Sequence, residues 1–212
     1  MKKWIALLAV VALTLTFVAC SSNSSDSTAS QSKEATSAPT EEAKESTPAK
    51  SDSESGKSIV IYFSATGNTK SVAQHIAAVT GADTYEILAA QPYTDDDLNW
   101  KDDNSRATKE QNDKTVRPEI GSEKLDLTAY NTIYLGYPIW WGQEPRIMDT
   151  FVESYDFTDK TVIPFCTSGS SDIGTTGDDL KANAGSGNWL KGKRFASGTS
   201  QAEVEEWLAT FQ

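Results

Sequence analysis

The chain has 212 residues, of which 19 are basic and 30 acidic, for a formal net charge of −11. That acid surplus argues against a nucleic-acid binder, whose electrostatic footprint is basic. Two cysteines, one histidine and no Cys-x-x-Cys pair exclude a thiol redox motif and a Cys/His metal cluster.

In chain order, Met1-Lys2-Lys3 is a short basic start, and Trp4 to Val18 is apolar except for Thr14 and Thr16. This is the pattern of a bacterial secretory signal. Its core of about 15 residues is short for a spanning helix, which needs about 20. Residues 1–19 are therefore expected to be a signal peptide. Phe17-Val18-Ala19-Cys20 is similar to a lipobox, with Phe in place of the usual Leu, and makes Cys20 the expected site of lipidation. An ordinary signal peptide cut nearby is the alternative.

From Ser21 to Lys57 the chain is rich in Ser, Thr, Ala, Glu and Lys, without aromatic or branched aliphatic residues. Such a segment cannot bury enough apolar surface to offset its chain entropy. Residues 20–57 thus read as a lipidated cysteine and a disordered tether. The tether would average roughly 30–35 Å end to end and reach about 120 Å at full stretch.

Residues 58–212 have the size of one domain with a full core. They carry a net charge near −10. A cysteine consumed at position 20 would leave Cys166 without an intramolecular partner. At a strand end it reads as a buried small hydrophobe.

The domain alternates strand and helix. Ser58–Phe63 is an apolar run that predicts a buried strand. Asn68–Thr80 predicts a helix with Val72, Ala73, Ile76 and Ala77 on one face, stopped by Gly81. Thr84–Leu88 predicts a second strand. Gln91–Glu119 breaks the rhythm, with Tyr93, Trp100, Arg106 and Arg117 scattered among charges. It is too long for a bare loop, so a helix over about Asp96–Gln111 is expected beside the sheet. Thr132–Gly136 predicts a third strand. Pro145 opens a helix with Ile147, Met148, Phe151, Val152 and Tyr155 on its apolar face. Thr161–Cys166 predicts a fourth strand and Lys193–Ala196 a fifth. Ser200 or Thr199 caps a last helix with Val204, Trp207, Leu208 and Phe211 inward. Alternation of this kind implies an α/β fold with a parallel sheet covered on both faces.

Ligands of such sheets bind beyond the carboxyl ends of the strands. Three loops fall there. Ser64-Ala65-Thr66-Gly67-Asn68-Thr69 joins the first strand to the first helix, the setting of a phosphate cradle. It lacks Lys and Arg, so it would hold a phosphate through neutral donors. A plain N-cap is the alternative. Gly136-Tyr137-Pro138-Ile139-Trp140-Trp141-Gly142-Gln143 follows the third strand and offers flat aromatic surface. Cys166-Thr167-Ser168-Gly169-Ser170-Ser171-Asp172 follows the fourth and offers small residues that a ring can approach closely. A flat, aromatic, phosphorylated ligand suits all three.

The first loop resembles the flavodoxin fingerprint. The second and third resemble the Tyr-Pro-Ile-Trp-Trp and Thr-Ser-Gly-Ser segments of bacterial flavodoxin-like proteins, some of them lipoproteins. The resemblance covers about Ser58 to Gln212. It implies a flavodoxin-like three-layer sandwich, with a five-stranded parallel sheet of order 2-1-3-4-5, and bound FMN. It assigns the phosphate to Ser64, Thr66, Asn68 and Thr69, with backbone N–H groups from Ala65 and Gly67. It borders the isoalloxazine ring with Pro138, Ile139, Trp140 and Trp141, one tryptophan beside the ring and the other in the core. It gives the pyrimidine edge or ribityl chain to Thr167, Ser168 and Gly169. The chain departs from classical short flavodoxins in its second-loop aromatics, in Gln91–Glu119, and in a third loop with only Asp172 and no stacking Tyr.

The function expected from these features is extracytoplasmic electron transfer with a redox partner protein at or near the membrane. The lipid at Cys20 would be the anchor, with no nucleic acid and no metal involved. An FMN-dependent NAD(P)H quinone, nitro or azo reductase is the enzymatic alternative. A flavodoxin-fold binding module without redox activity is the third.

Overall fold

The computed structural model describes residues 56–211. The expectations placed on the signal segment, on Cys20 and on nearly all of the tether lie outside them.

β1 (Lys57–Phe63) has five successive buried residues, Ile59 to Phe63. A strand buried on both faces needs an apolar residue at every position, and this run supplies one. Ile59, Ile61 and Phe63 enter one core layer, while Val60 and Tyr62 enter the other. β2 (Asp83–Ile87) and β3 (Tyr130–Pro138) flank β1 in parallel, and β4 (Thr161–Thr167) lies beyond β3. The fifth position is split. Asn188–Trp189 (β5) and Lys193–Phe195 (β6) both pair with β4 in parallel. The order is β2-β1-β3-β4-β5, the 2-1-3-4-5 arrangement that the sequence implied.

α1 (Asn68–Thr80) and α5 (Gln201–Leu208) cover one face of the sheet; α3 (Arg146–Glu153) and α4 (Thr176–Ala184) cover the other. α1 ends where Gly81 takes a left-handed φ of 69°. α5 starts at Ser200, not Thr199. The Ser200 hydroxyl accepts from the Glu203 N–H, and Glu203 accepts in return from the Ser200 N–H, a capping box. Among the described residues no helix is long and apolar enough to cross a membrane.

Three local expectations need correction. The helix foreseen over Asp96–Gln111 is only Arg106–Asn112 (α2), and turns precede it. The reason lies in its Asp and Asn residues. Asp97 accepts from the Thr94 N–H, Asn99 from the Lys101 N–H and Asp102 from the Asn104 N–H. Such short-range bonds give the backbone an alternative to helix. Helix begins once the Ser105 hydroxyl caps the Thr108 N–H. α4 was not foreseen, because only Thr176 and Leu180 are buried on it and no apolar stripe marks it. The third strand, expected over Thr132–Gly136, runs from Tyr130 to Pro138.

Gly136 occupies the middle of the sheet, opposite Tyr62 on β1 and Phe165 on β4. A Cβ there would lie 2.2 Å from the Phe165 ring. Gly136→Ala is therefore expected to lower the unfolding free energy by about 1–3 kcal/mol through overpacking, measured by urea denaturation. A variant as stable as the parent would show that the ring moves aside freely.

Candidate functional site

The first loop leaves β1 and enters α1 through Gly67, at φ 85° and ψ −14°. A left-handed residue at this junction turns the chain sharply, which glycine allows without strain. No side chain caps α1 at Gly67. The N–H groups of Thr66, Gly67, Asn68 and Thr69 donate to nothing among the described residues. The Ser64 hydroxyl accepts from the N–H of Lys70, the third residue of α1, and so caps one first-turn donor while those of Asn68 and Thr69 stay open. Thirteen residues of helix end in open donors, with partial positive charge at their tip.

Within the loop the Asn68 amide donates to the Thr66 hydroxyl at 3.1 Å, and Asn68 accepts from Ser197 at 2.8 Å. Thr69 is buried, and its hydroxyl pairs with that of Thr167 at 2.7 Å. These two hydroxyls, both expected to face a cofactor, share one hydrogen bond, which leaves one of their two O–H donors free. They tie the start of α1 to the end of β4, and Thr69 still offers its N–H. Lys70 is held by Glu86 at 2.7 Å, so its charge is neutralised on β2 and the cradle remains one of neutral donors.

Beyond β3, Trp140, Trp141, Gly142 and Gln143 form a tight turn. Trp140 and Gln143 exchange both backbone hydrogen bonds, each at 2.9 Å. The two central residues have positive φ, 53° at Trp141 and 76° at Gly142. Such a turn suits glycine but strains a bulky residue, at a cost of roughly 1–2 kcal/mol. The turn also separates the roles of the two tryptophans. Trp140 packs edge-on against Phe63 and Tyr93, with ring centroids 5.6 and 5.2 Å away. Trp141 remains 49% exposed.

The loops enclose a cleft of about 490 Å³ lined by Thr66, Ile139, Trp140, Trp141 and Ser168 to Ser171, closed on another side by Leu98, Trp100 and Ala107. This volume falls in the range of small-molecule sites, roughly 300–1,000 Å³. None of the lining residues is ionisable. A Cβ placed on Gly67 or Gly169 would meet nothing within 4 Å, so both backbones face open space. Six of the thirteen expected site residues thus share one wall: Thr66, Ile139, Trp140, Trp141, Ser168 and Gly169. Ser64 and Ala65 line a neighbouring cleft of about 330 Å³ with Pro92 and Tyr93. Gly67 and Asn68 sit exposed at the helix tip. Pro138 ends β3 half-buried, outside the lining of the cleft. Cys166 is fully buried, and burial pushes its thiol up to about 12, far from reactive.

Sequence reasoning did not foresee Leu98, Trp100 and Ala107 in the cleft wall. The available signal was two large apolar residues inside an otherwise charged stretch. Their segment is anchored by Glu110, which accepts from Arg106 at 2.7 Å and from the Tyr93 hydroxyl at 2.6 Å. The Arg106 guanidinium also lies 3.9 Å over the Tyr93 ring.

Arg146 is buried behind the aromatic turn. Its guanidinium donates to Asp149 at 3.0 Å, to Glu144 at 3.3 Å, to Gln111 of α2 at 3.0 Å, and to Gln143 of the turn. One buried cation thus joins two walls of the cleft. Asp149 is the nearer carboxylate, and one Glu144 oxygen has no partner among the described residues. Burial pushes the Glu144 carboxyl up to about 7 from an ordinary 4.5.

A family model for flavodoxin matches residues 57–211. The chain belongs to the flavodoxin family. It is similar to a candidate flavoprotein of Bacteroides uniformis at 45% identity, over 73% of this chain and 98% of that one, with a TM-score of 0.70. A candidate flavoprotein of Bacteroides eggerthii is 42% identical, over 73% and 97%, with a TM-score of 0.68. A flavoprotein of Lactobacillus acidophilus, solved in complex with FMN, shares the fold at 22% identity, over 72% and 99%, with a TM-score of 0.54. No curated protein matches. The Gln91–Glu119 segment supplies a wall of the cleft through Leu98, Trp100 and Ala107, and Gln111 locks it to Arg146 behind the aromatic turn.

Two predictions follow from the buried cluster. Arg146→Met strands two carboxylates and is expected to cost about 3–5 kcal/mol of stability, read by urea denaturation at pH 7. The raised Glu144 value has the opposite sign from that of a stabilised carboxylate. Its contribution is full below about pH 4.5 and is lost as pH rises to about 7. Glu144→Gln is expected to remove this slope and to be more stable than the parent above pH 7 by roughly 1–3 kcal/mol. Parallel stability–pH curves for the two proteins would rule this out.

Proposed function

We propose that this protein is an FMN-binding flavodoxin that works outside the cytoplasm, passing electrons to or from a partner protein at the membrane to which its tether and Cys20 lipid hold it. The observation that carries the FMN reading is the row of open N–H groups at Thr66 to Thr69 beside a cleft without ionisable lining. Family membership over 57–211 supports the same cofactor. FMN, when bound, supplies one- and two-electron redox chemistry.

The residues fit the group. The N–H groups of Thr66 to Thr69 and the Thr66 hydroxyl are the donors for a phosphate, and the helix tip favours its charge. Trp141 and Ile139 offer apolar surface to a ring, with Trp140 braced behind by Phe63 and Tyr93. Ser168 and Gly169 face the opposite edge. The uncharged walls exclude competing counter-ions and leave the backbone to orient the ligand.

The tether supports the membrane reading, because it confines the domain near membrane-bound partners and raises their effective concentration. The acidic domain stands off an anionic surface and suits a basic partner. The reductase reading has one observation in its favour: Trp100 and Trp141, 65% and 49% exposed, leave an aromatic mouth open to a second flat molecule. Nicotinamide cofactors are not expected outside the cytoplasm, which favours the carrier.

FMN titrated into the purified protein is expected to bind one to one with quenching of flavin fluorescence. Thr66→Asp places a carboxylate in the cradle and is expected to weaken binding about 100-fold, or about 2.7 kcal/mol. Equal binding by parent and variant would remove the phosphate assignment. NADH or NADPH consumption by the loaded protein with a quinone present would favour the reductase.

A further inference from the structure

Arg194 lies on β6, in register with Cys166 of β4 and directly behind the third loop. One terminal nitrogen of its guanidinium donates to the Ser168 carbonyl at 2.7 Å and to the Gly169 carbonyl at 2.9 Å. Its Nε is buried and has no partner among the described residues. No carboxylate of the described residues lies within salt-bridge distance of it. In a domain of net charge near −10, a cation without an acidic partner is not there to balance local charge.

Two consequences follow for the loop. A trans peptide points its N–H opposite its own carbonyl. With the carbonyls of Ser168 and Gly169 gathered toward Arg194, the N–H groups of Gly169 and Ser170 face away from it. The Ser170 N–H is taken by the Ser168 hydroxyl at 3.2 Å. The Gly169 N–H donates to nothing among the described residues, and Gly169 borders the cleft with open space beside it. The second consequence is electrostatic. The cleft wall carries no ionisable residue, and Arg194 places a positive charge one peptide layer behind it.

We propose that Arg194 is a positioning residue that sets the redox poise of the bound flavin: it turns the Gly169 N–H toward the cleft and backs that donor with positive charge, so that the third loop holds the reduced, more electron-rich cofactor more tightly than the oxidised one. This inference rests on the FMN reading of the cleft. It opposes the general effect of an acidic domain, which disfavours added negative charge near the ring. Arg194 is tied directly to the loop's carbonyls, whereas water and salt screen the dispersed surface carboxylates.

The test compares the FMN-loaded full chain with R194Q and R194K. Spectroelectrochemical titration reads the two-electron potential, and fluorescence quenching reads the affinity for oxidised FMN. R194Q is expected to lose at least tenfold in the preference for reduced over oxidised FMN, a downward shift of about 30 mV or more for a two-electron couple. R194K keeps the charge but not the planar fork, and is expected to lose about threefold. In cofactor-free protein, the Gly169 and Ser170 amide resonances are expected to move in R194Q while those of Ile59 and Ile61 stay. A purely structural arginine would weaken both redox forms equally. Equal potentials in parent and R194Q, with FMN bound by both, overturn the proposal and leave the FMN reading intact. If R194Q does not fold, equal potentials in parent and R194K overturn it. Failure of the parent to bind FMN overturns both.

Discussion

The parallel registry of β1, β3 and β4 is the constraint on which the rest depends. Tyr62, Gly136 and Phe165 stand in one row across these strands. Gly136 has no side chain, and the Phe165 ring closes over it. Fixing this row brings the three carboxyl ends to a common edge. The three loops then meet there although they lie up to about a hundred residues apart. The Thr69–Thr167 hydroxyl pair, spanning 98 positions, fastens the first loop to the third at that edge.

Around the edge, the chain divides labour between backbone and side chain. In the proposed FMN site, phosphate recognition would fall to main-chain donors left open at Thr66 to Thr69. Ring recognition would fall to aromatic and small residues. Charges lie behind the walls: Arg146 with Glu144 and Asp149 behind the aromatic turn, Arg194 behind the third loop, and Lys70 paired away with Glu86. None of these charged side chains lines the cleft itself.

The segment between β2 and β3 is anchored by its own side chains before it reaches the cleft. Tyr93, Arg106 and Glu110 stabilise it locally, and Gln111 ties it to Arg146. The result presents Leu98, Trp100 and Ala107 to the cleft. The strained Trp141 and the neighbouring Trp140 form the adjoining side. One guanidinium therefore coordinates two surfaces that a flat ligand would touch together.

The sequence by itself determined the first four strands, the first and last helices and the identity of the three loops, while the sheet order came from the resemblance of those loops to flavodoxin segments. Each has a local cause: an apolar run buried on both faces, a 3.6-residue stripe, a glycine stop, a Ser-x-x-Glu cap. The motif in Ser64–Thr69 was legible because a tight strand-to-helix turn requires its residue types in that order. Other features were decided only by tertiary structure. Asp97, Asn99 and Asp102 diverted their segment from helix to turns through short-range bonds that apolar periodicity does not register. Helix α4 formed on a sequence with one buried leucine because β4 and β5 needed a crossover. The division of roles between Trp140 and Trp141, the pairing of Thr69 with Thr167, and the burial of Arg146 each depend on a partner distant in the chain. Such pairings arise from closing the sheet, and no local pattern in the sequence encodes them.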